Sequence, residues 1–193
     1  MLRCTKCSVV LTVLALPLLA GCMPKMTIED MKQMRPQRPA ELDKLNMWVG
    51  KWEGTDEHKM MGVAETLKST GTSEVSWDDT GWYLIEKADY QMGEMGKMKM
   101  CARWAYDPKA KKYRVWMFDD WGQQGVGTAK YVEKDRKWYF TARSKGTLGS
   151  TFGRGCAKFV DDNTIEMTWS EWASWDIFRL FKFMEMTGTS KRK

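Results

Sequence analysis

"KMKMCARWAY", residues 97–106, alternates without a break. Met98, Met100, Ala102, Trp104 and Tyr106 fall on one face, opposed by Lys99, Cys101, Arg103 and Ala105. Successive side chains of a strand point to opposite faces, so the pattern predicts a half-buried antiparallel strand. Ile165, Met167 and Trp169 oppose Glu166, Thr168 and Ser170 in the same way. The segments "WYLIEKADYQ" (82–91), "YRVWMF" (113–118) and "WYFTARS" (138–144) are equally rich in the aromatic and branched residues that suit strands. Clusters of Asp, Asn and Gly separate them, at 78–81, 92–96, 107–112, 119–122, 133–137, 145–150 and 161–163. These residues supply backbone-bonding side chains or positive φ, as turns require. No long helical period competes.

Residues 40–193 therefore read as one all-β domain, with an antiparallel meander of nine or ten strands. Such a meander removes its exposed edges by closing into an up-and-down barrel. A two-sheet sandwich is the alternative. In "AELDKLNM" (40–47), Leu42 and Leu45 lie three apart, which predicts a short N-terminal helix packed on the strands. Gly50 and Trp52 in "MWVGKWEGT" (47–55) resemble the G-x-W opening of lipocalin-like barrels, where the tryptophan closes one end. With "GTSEVSWDDTGWYLIEK" (71–87), "YDPKAKKYRVWMFDDWG" (106–122) and "FKFMEMTGTSKRK" (181–193), this opening resembles the bacterial domain-of-unknown-function family numbered 1579. That resemblance implies a lipocalin-like β-barrel, often exported, with no established catalytic or binding residues.

The N-terminus reads as an export signal. Arg3 and Lys6 precede the apolar run "SVVLTVLALPLLA" (8–20), which is too short for a membrane span, since one needs ~20 apolar residues. "LAGC" (19–22) resembles a bacterial lipobox: Leu19 opens it, Ala20 and Gly21 precede the cut, and Cys22 takes the lipid. Residues 1–21 are then a signal peptide and residues 22–39, with their prolines, a flexible tether. Two or three acyl chains hold a protein stably on a membrane without a spanning helix. The expected location is the bacterial envelope, facing the periplasm. Met23 follows the cysteine where Asp would mark inner-membrane retention, so the outer membrane is the default. Removing Arg3 and Lys6 takes the net charge from +6 to +4 (6 − 2). Lys and Arg are interspersed with acids along the chain, which gives no nucleic-acid signature.

Catalytic motifs are lacking. His58, the single histidine, sits in "TDEHKMMG", which reads as an exposed loop with no partner motif. A haem site would need a histidine near the last strand, where none stands. No cofactor is assigned. The methionines of "MGEMGKMKM" (92–100) have the spacing of a soft Cu(I) site, which His58, Met60 and Met61 would extend. However, Met98 and Met100 share the core face of Trp104, while Met92 and Met95 flank turn glycines, so packing is the preferred reading and no metal is assigned. Cys101 and Cys156 survive export and leave a disulfide open. Trp169, Trp172, Trp175 and Phe178 recur every three residues and suggest an aromatic rim over a barrel mouth, or a plug at one end. Glu53 and Glu86 fall on otherwise apolar faces and are the candidate lumen carboxylates. The function expected is binding of a small apolar ligand. An envelope assembly protein with a solid barrel core is the alternative.

Overall fold

A computed structural model describes residues 26–147, 149–176 and 179–193, without the side chains of 174–180. The lipobox residues Leu19, Ala20, Gly21 and Cys22, and also Phe178, lie outside the described residues. The chain divides between Gln37 and Arg38. In the first unit, Thr27 caps the helix α1 (Ile28–Gln33) in a reciprocal box with Asp30, and no residue of this helix is buried.

The second unit is a closed antiparallel barrel of ten strands. These are β1 (Gly50–Met60), β2 (Leu67–Trp77), β3 (Leu84–Gln91), β4 (Lys97–Asp107) and β5 (Lys112–Asp119). They continue with β6 (Gln124–Val132), β7 (Lys137–Gly146), β8 (Gly149–Phe159), β9 (Thr164–Asp176) and β10 (Arg179–Arg192). Each strand pairs with its sequence neighbours, and β1 closes on β10 from Trp52↔Arg192 to Met60↔Met184. The up-and-down barrel is thus the observed fold, and the sandwich is not.

One half of the barrel is solid. The 3₁₀ helix Ala40–Trp48 plugs it, with Leu42, Leu45 and Trp48 all buried. A helix of three residues per turn stacks residues three apart, so all of them point into the barrel. Above the plug, Trp48 meets Phe159 at 5.0 Å and Trp104 at 5.5 Å between ring centroids, and Trp138 meets Tyr113 at 4.8 Å. Edge-on contacts of this kind add about 0.5–1.5 kcal/mol each beyond area burial. Every residue of this core lies at or after Leu42.

Gly50 and Trp52 stand at this closed end. The Trp52 indole donates to the Trp48 carbonyl at 2.8 Å, and the Arg192 guanidinium stacks 4.3 Å from the Trp52 ring. Arg192 also donates to the carbonyls of Met47 and Val49, tying the last strand to the plug. Gly50 has φ +137°, and a Cβ there would lie 2.6 Å from the Arg192 guanidinium, so only glycine fits.

Cys101 and Cys156 are both free and stand on the non-adjacent strands β4 and β8, so no disulfide joins them. Outward positions carry charge all round the wall, for example Lys51, Glu74, Lys99, Arg143 and Glu166, whereas the core cluster inside is apolar. That is the reverse of a membrane-spanning barrel, whose outer face is apolar. The charges are also sorted. Outward from β4 to β8 stand Lys97, Lys99, Arg103, Arg114, Lys130, Arg143, Lys145 and Arg154, with Asp107 as the lone outward acid of those strands. The interspersed pattern seen along the chain becomes a basic face once the strands are laid side by side.

Candidate functional site

The other half of the barrel is built differently. The positions that point inward there are Asp56 and His58 on β1, Ser69 and Gly71 on β2, Glu86 and Tyr90 on β3, and Met98 and Met100 on β4. Across from them stand Ala142 on β7, Gly153 and Gly155 on β8, and Trp169 and Glu171 on β9. Small residues hold the wall back. A Cβ on Gly153 would sit 2.0 Å from the Trp169 ring, so this tryptophan lies flat against the backbone of β8. Tyr90 lies over Gly71 in the same manner. Ten strands also enclose a wider interior than eight, which side chains alone can fill.

The consequence shows in Glu86. Its carboxyl lies deep in the protein mass, where desolvation pushes its pKa up to about 7, yet the residue keeps accessible surface. Deep enclosure together with accessible surface is the mark of a group lining a lumen. Met98, Met100, Ala142, Gly155 and Trp169 likewise point inward and remain half-buried, in contrast to Leu45 and Trp138 at 0% in the closed half. The Trp104 indole N–H favours the charged form of Glu86 but makes no full hydrogen bond.

His58 is not in a loop. It is 6% exposed and points inward from β1, opposite Met186 of β10. Closure of the barrel makes the first strand the neighbour of the last, so distance in sequence does not separate His58 from the C-terminal strand. Its Nε2 lies 3.0 Å from Ser69 Oγ, and that hydroxyl donates to Asp56 Oδ2 at 3.4 Å. In the tautomer protonated at Nε2, which matches a Ser69 proton directed to Asp56, Nε2–H donates to Ser69 and Nδ1 carries a lone pair. Nδ1 has no partner, and neither has Asp56 Oδ1. Desolvation pushes His58 down and keeps it neutral, and it pushes Asp56 up against the opposing Ser69 bond. Burial, then the nearby charges of Glu86 and Asp56, push the Tyr90 hydroxyl up.

The remaining candidates separate. Glu53 points outward and pairs with Lys193, so Glu86 is the lumen carboxylate and Glu53 is not. In a strand, three residues apart means opposite faces. Trp169 accordingly points inward while Trp172 packs outside, on Phe152 at 6.1 Å and the Arg154 guanidinium at 4.8 Å. They do not form one rim. The side chain of Trp175 is outside the described residues. The irregularities in that region are register shifts on β10, between Arg179 and Leu180 and between Lys182 and Met184, while β9 runs on to Asp176. Met92 and Met95 bracket the hairpin turn Gly93–Met95, and Met95 and Met61 are exposed. Among the described residues, no group of three or more His, Cys, Asp or Glu is placed to hold a metal ion.

Hollows of about 570 and 790 Å³ also lie on the outer wall, one lined by Tyr83, Arg103, Trp116 and Phe118, the other crossing β10, β1, β2, β3 and β4. Both are open to solvent. Of the buried polar side-chain atoms without partners, the indole nitrogens of Trp48 and Trp104 belong to the aromatic floor, whereas Asp56 Oδ1 and His58 Nδ1 point into the open half, which makes that half the candidate site.

The fold and site define a closed, lipocalin-like antiparallel barrel. No protein-family model matches the chain, and no curated protein does. Among solved structures it is similar to Rv2717c from M. tuberculosis, with a TM-score of 0.60 and 9% identity over 81% of this chain and 99% of that one. It is also similar to the S-type phycobiliprotein lyase CPES from Guillardia theta, with a TM-score of 0.54 and 10% identity over 82% and 98%. At such identities the likeness is one of fold.

Proposed function

We propose that this protein is a lipid-anchored envelope protein that binds a small, largely apolar ligand in the open half of its barrel. One observation carries the ligand reading: inward-facing groups of that half are enclosed yet keep accessible surface, whereas the closed half is sealed. Barrel mouths are common ligand sites. The aromatic floor, with Trp104 at its centre, and the methionines Met98 and Met100 would meet the apolar body of the ligand. The anchor rests on the resemblance of residues 19–22 to a lipobox, with Cys22 as the lipidated residue. The basic face of β4–β8, with Phe118 and Tyr139 exposed on it, would suit an anionic membrane surface close by. The resemblance to the family numbered 1579 implies the same kind of barrel and export.

Native mass spectrometry of the protein, extracted gently from membranes, tests both parts. The expected result is an acylated chain beginning at Cys22 with a further non-covalent mass of a few hundred daltons. A chain still beginning at Met1 would overturn the anchor. A barrel that carries no extra mass and takes up no apolar probe would overturn the ligand reading and favour the solid-core alternative.

A further inference from the structure

We infer that the polar end of the ligand is an organic cation, an amine or a protonated nitrogen heterocycle, seated against Asp56 and Glu86. The inference rests on the lumen being the ligand site and adds the charge of its occupant.

Acceptors in the open half outnumber the donors that reach them. Asp56 is 7% exposed and leaves Oδ1 without a partner, and His58, with its lone pair on Nδ1, leaves a second acceptor unpaired. Glu86 adds a third, with only the misaligned Trp104 N–H nearby. Buried polar atoms are normally hydrogen-bonded, and each exception calls for an explanation. An occupant that brings N–H donors satisfies all of them. One that brings acceptors satisfies none of these three and meets only the Trp104 N–H.

Charge points the same way. Among the described residues, Arg192 is the one inward-pointing Lys or Arg, and it is engaged at the closed end with Trp52 and the carbonyls of the plug. The open half therefore holds carboxyls with no internal cation. An enclosed carboxylate without a counter-charge is costly, and burial accordingly pushes Asp56 and Glu86 toward binding a proton. An ammonium group would replace that proton. The rings of Tyr90, Trp104 and Trp169 around it supply the aromatic faces that favour organic cations over inorganic ones.

Competition between ligand and proton fixes the pH dependence. The titratable groups that point into this half are Asp56 and His58 on β1, Glu86 and Tyr90 on β3, Asp119 at the end of β5 and Glu171 on β9, and Tyr90 feels the charges of both Glu86 and Asp56; β2 and β4 present none. Burial pushes His58 down, so in the neutral range the switch belongs to the carboxyls. Cation affinity should rise with pH through the neutral range.

The test uses three probes that share one ring: 1-naphthylmethylammonium, uncharged 1-methylnaphthalene and 1-naphthalenesulfonate, titrated calorimetrically at pH 8 and pH 5. The expected order at pH 8 is ammonium tightest by about tenfold over the uncharged probe, with sulfonate weakest. At pH 5 the ammonium preference should vanish. Glu86→Gln and Asp56→Asn should each lower ammonium affinity by about tenfold and leave methylnaphthalene unchanged. Equal binding of all three probes, or tightest binding of the sulfonate, would overturn the cation and leave the lumen site standing. Binding of none would overturn the lumen site as well. The comparison of probes on the unaltered protein decides the matter even if a variant fails to fold.

Discussion

Replacing Trp138 by alanine will lower stability by about 3–5 kcal/mol, the usual cost of truncating a buried tryptophan. Trp138 is 0% exposed and meets Trp48, Trp104, Tyr113 and Tyr131 at ring distances of 4.8–6.3 Å. Its indole N–H also reaches the Met47 sulfur at 3.1 Å, so it links plug and wall. Most of its neighbours are rings that hold one another in place, and Met47 alone is too small to fill the space of an indole. In a domain of this size the loss corresponds to a fall in Tm of about 10–15 °C. Thermal unfolding followed by far-UV circular dichroism measures it. A fall of only a few degrees would mean that the closed half is not the stable core.

The second large effect has the opposite sign. Glu86→Gln will stabilise the protein above pH 7 by about 2–3 kcal/mol and leave it unchanged near pH 4. In the unfolded chain this carboxyl titrates at its ordinary value of 4.5, and in the folded protein burial moves it up to about 7. Between those values the folded state holds a proton that the unfolded state has lost, so stability falls as pH rises through that window. Below it both states are protonated and nothing is lost. Glutamine resembles the protonated form and does not titrate, which removes the loss. Urea denaturation of both proteins at pH 4, 6 and 8 checks it. A variant gain that is absent at pH 8, or equal at pH 4, would show Glu86 to be solvated.

A residue that costs stability where it stands is common at functional sites. The same pattern explains which parts of this fold are legible in the sequence. β4 and the first half of β9 announce themselves, because Trp104 and Ile165 alternate with polar residues over a sealed floor. The helix of Leu42 and Leu45 is legible for the same reason, and Trp48 continues its spacing. β1, β2 and β8 are not. Their inward positions are Asp56 and His58, Ser69 and Gly71, Gly153 and Gly155, which look like loop residues when read alone. His58 reads as a loop residue for that reason. Of the two candidate lumen carboxylates, Glu86 does face inward, whereas Glu53 faces solvent. The open half of the lumen hides from hydropathy because it is not lined with apolar residues. Polar and glycine residues at every second position, flanked by clear strands, are the signal that locates it. The basic face is equally invisible in the sequence, since it arises only when β4 to β8 lie side by side.

The central claim is that this half of the barrel admits a ligand. Ala142 points into it from β7, between Gly127 on β6 and Gly153 on β8, and is half-buried. The most direct test is a fluorescence titration of the uncharged probe N-phenyl-1-naphthylamine into the parent protein and into Ala142→Trp. The lumen reading predicts saturation at one probe per barrel in the parent. It also predicts at least about tenfold weaker binding in the variant, with Tm changed by only a few degrees. A parent that binds no probe, or a variant that binds it as well as the parent, would contradict it.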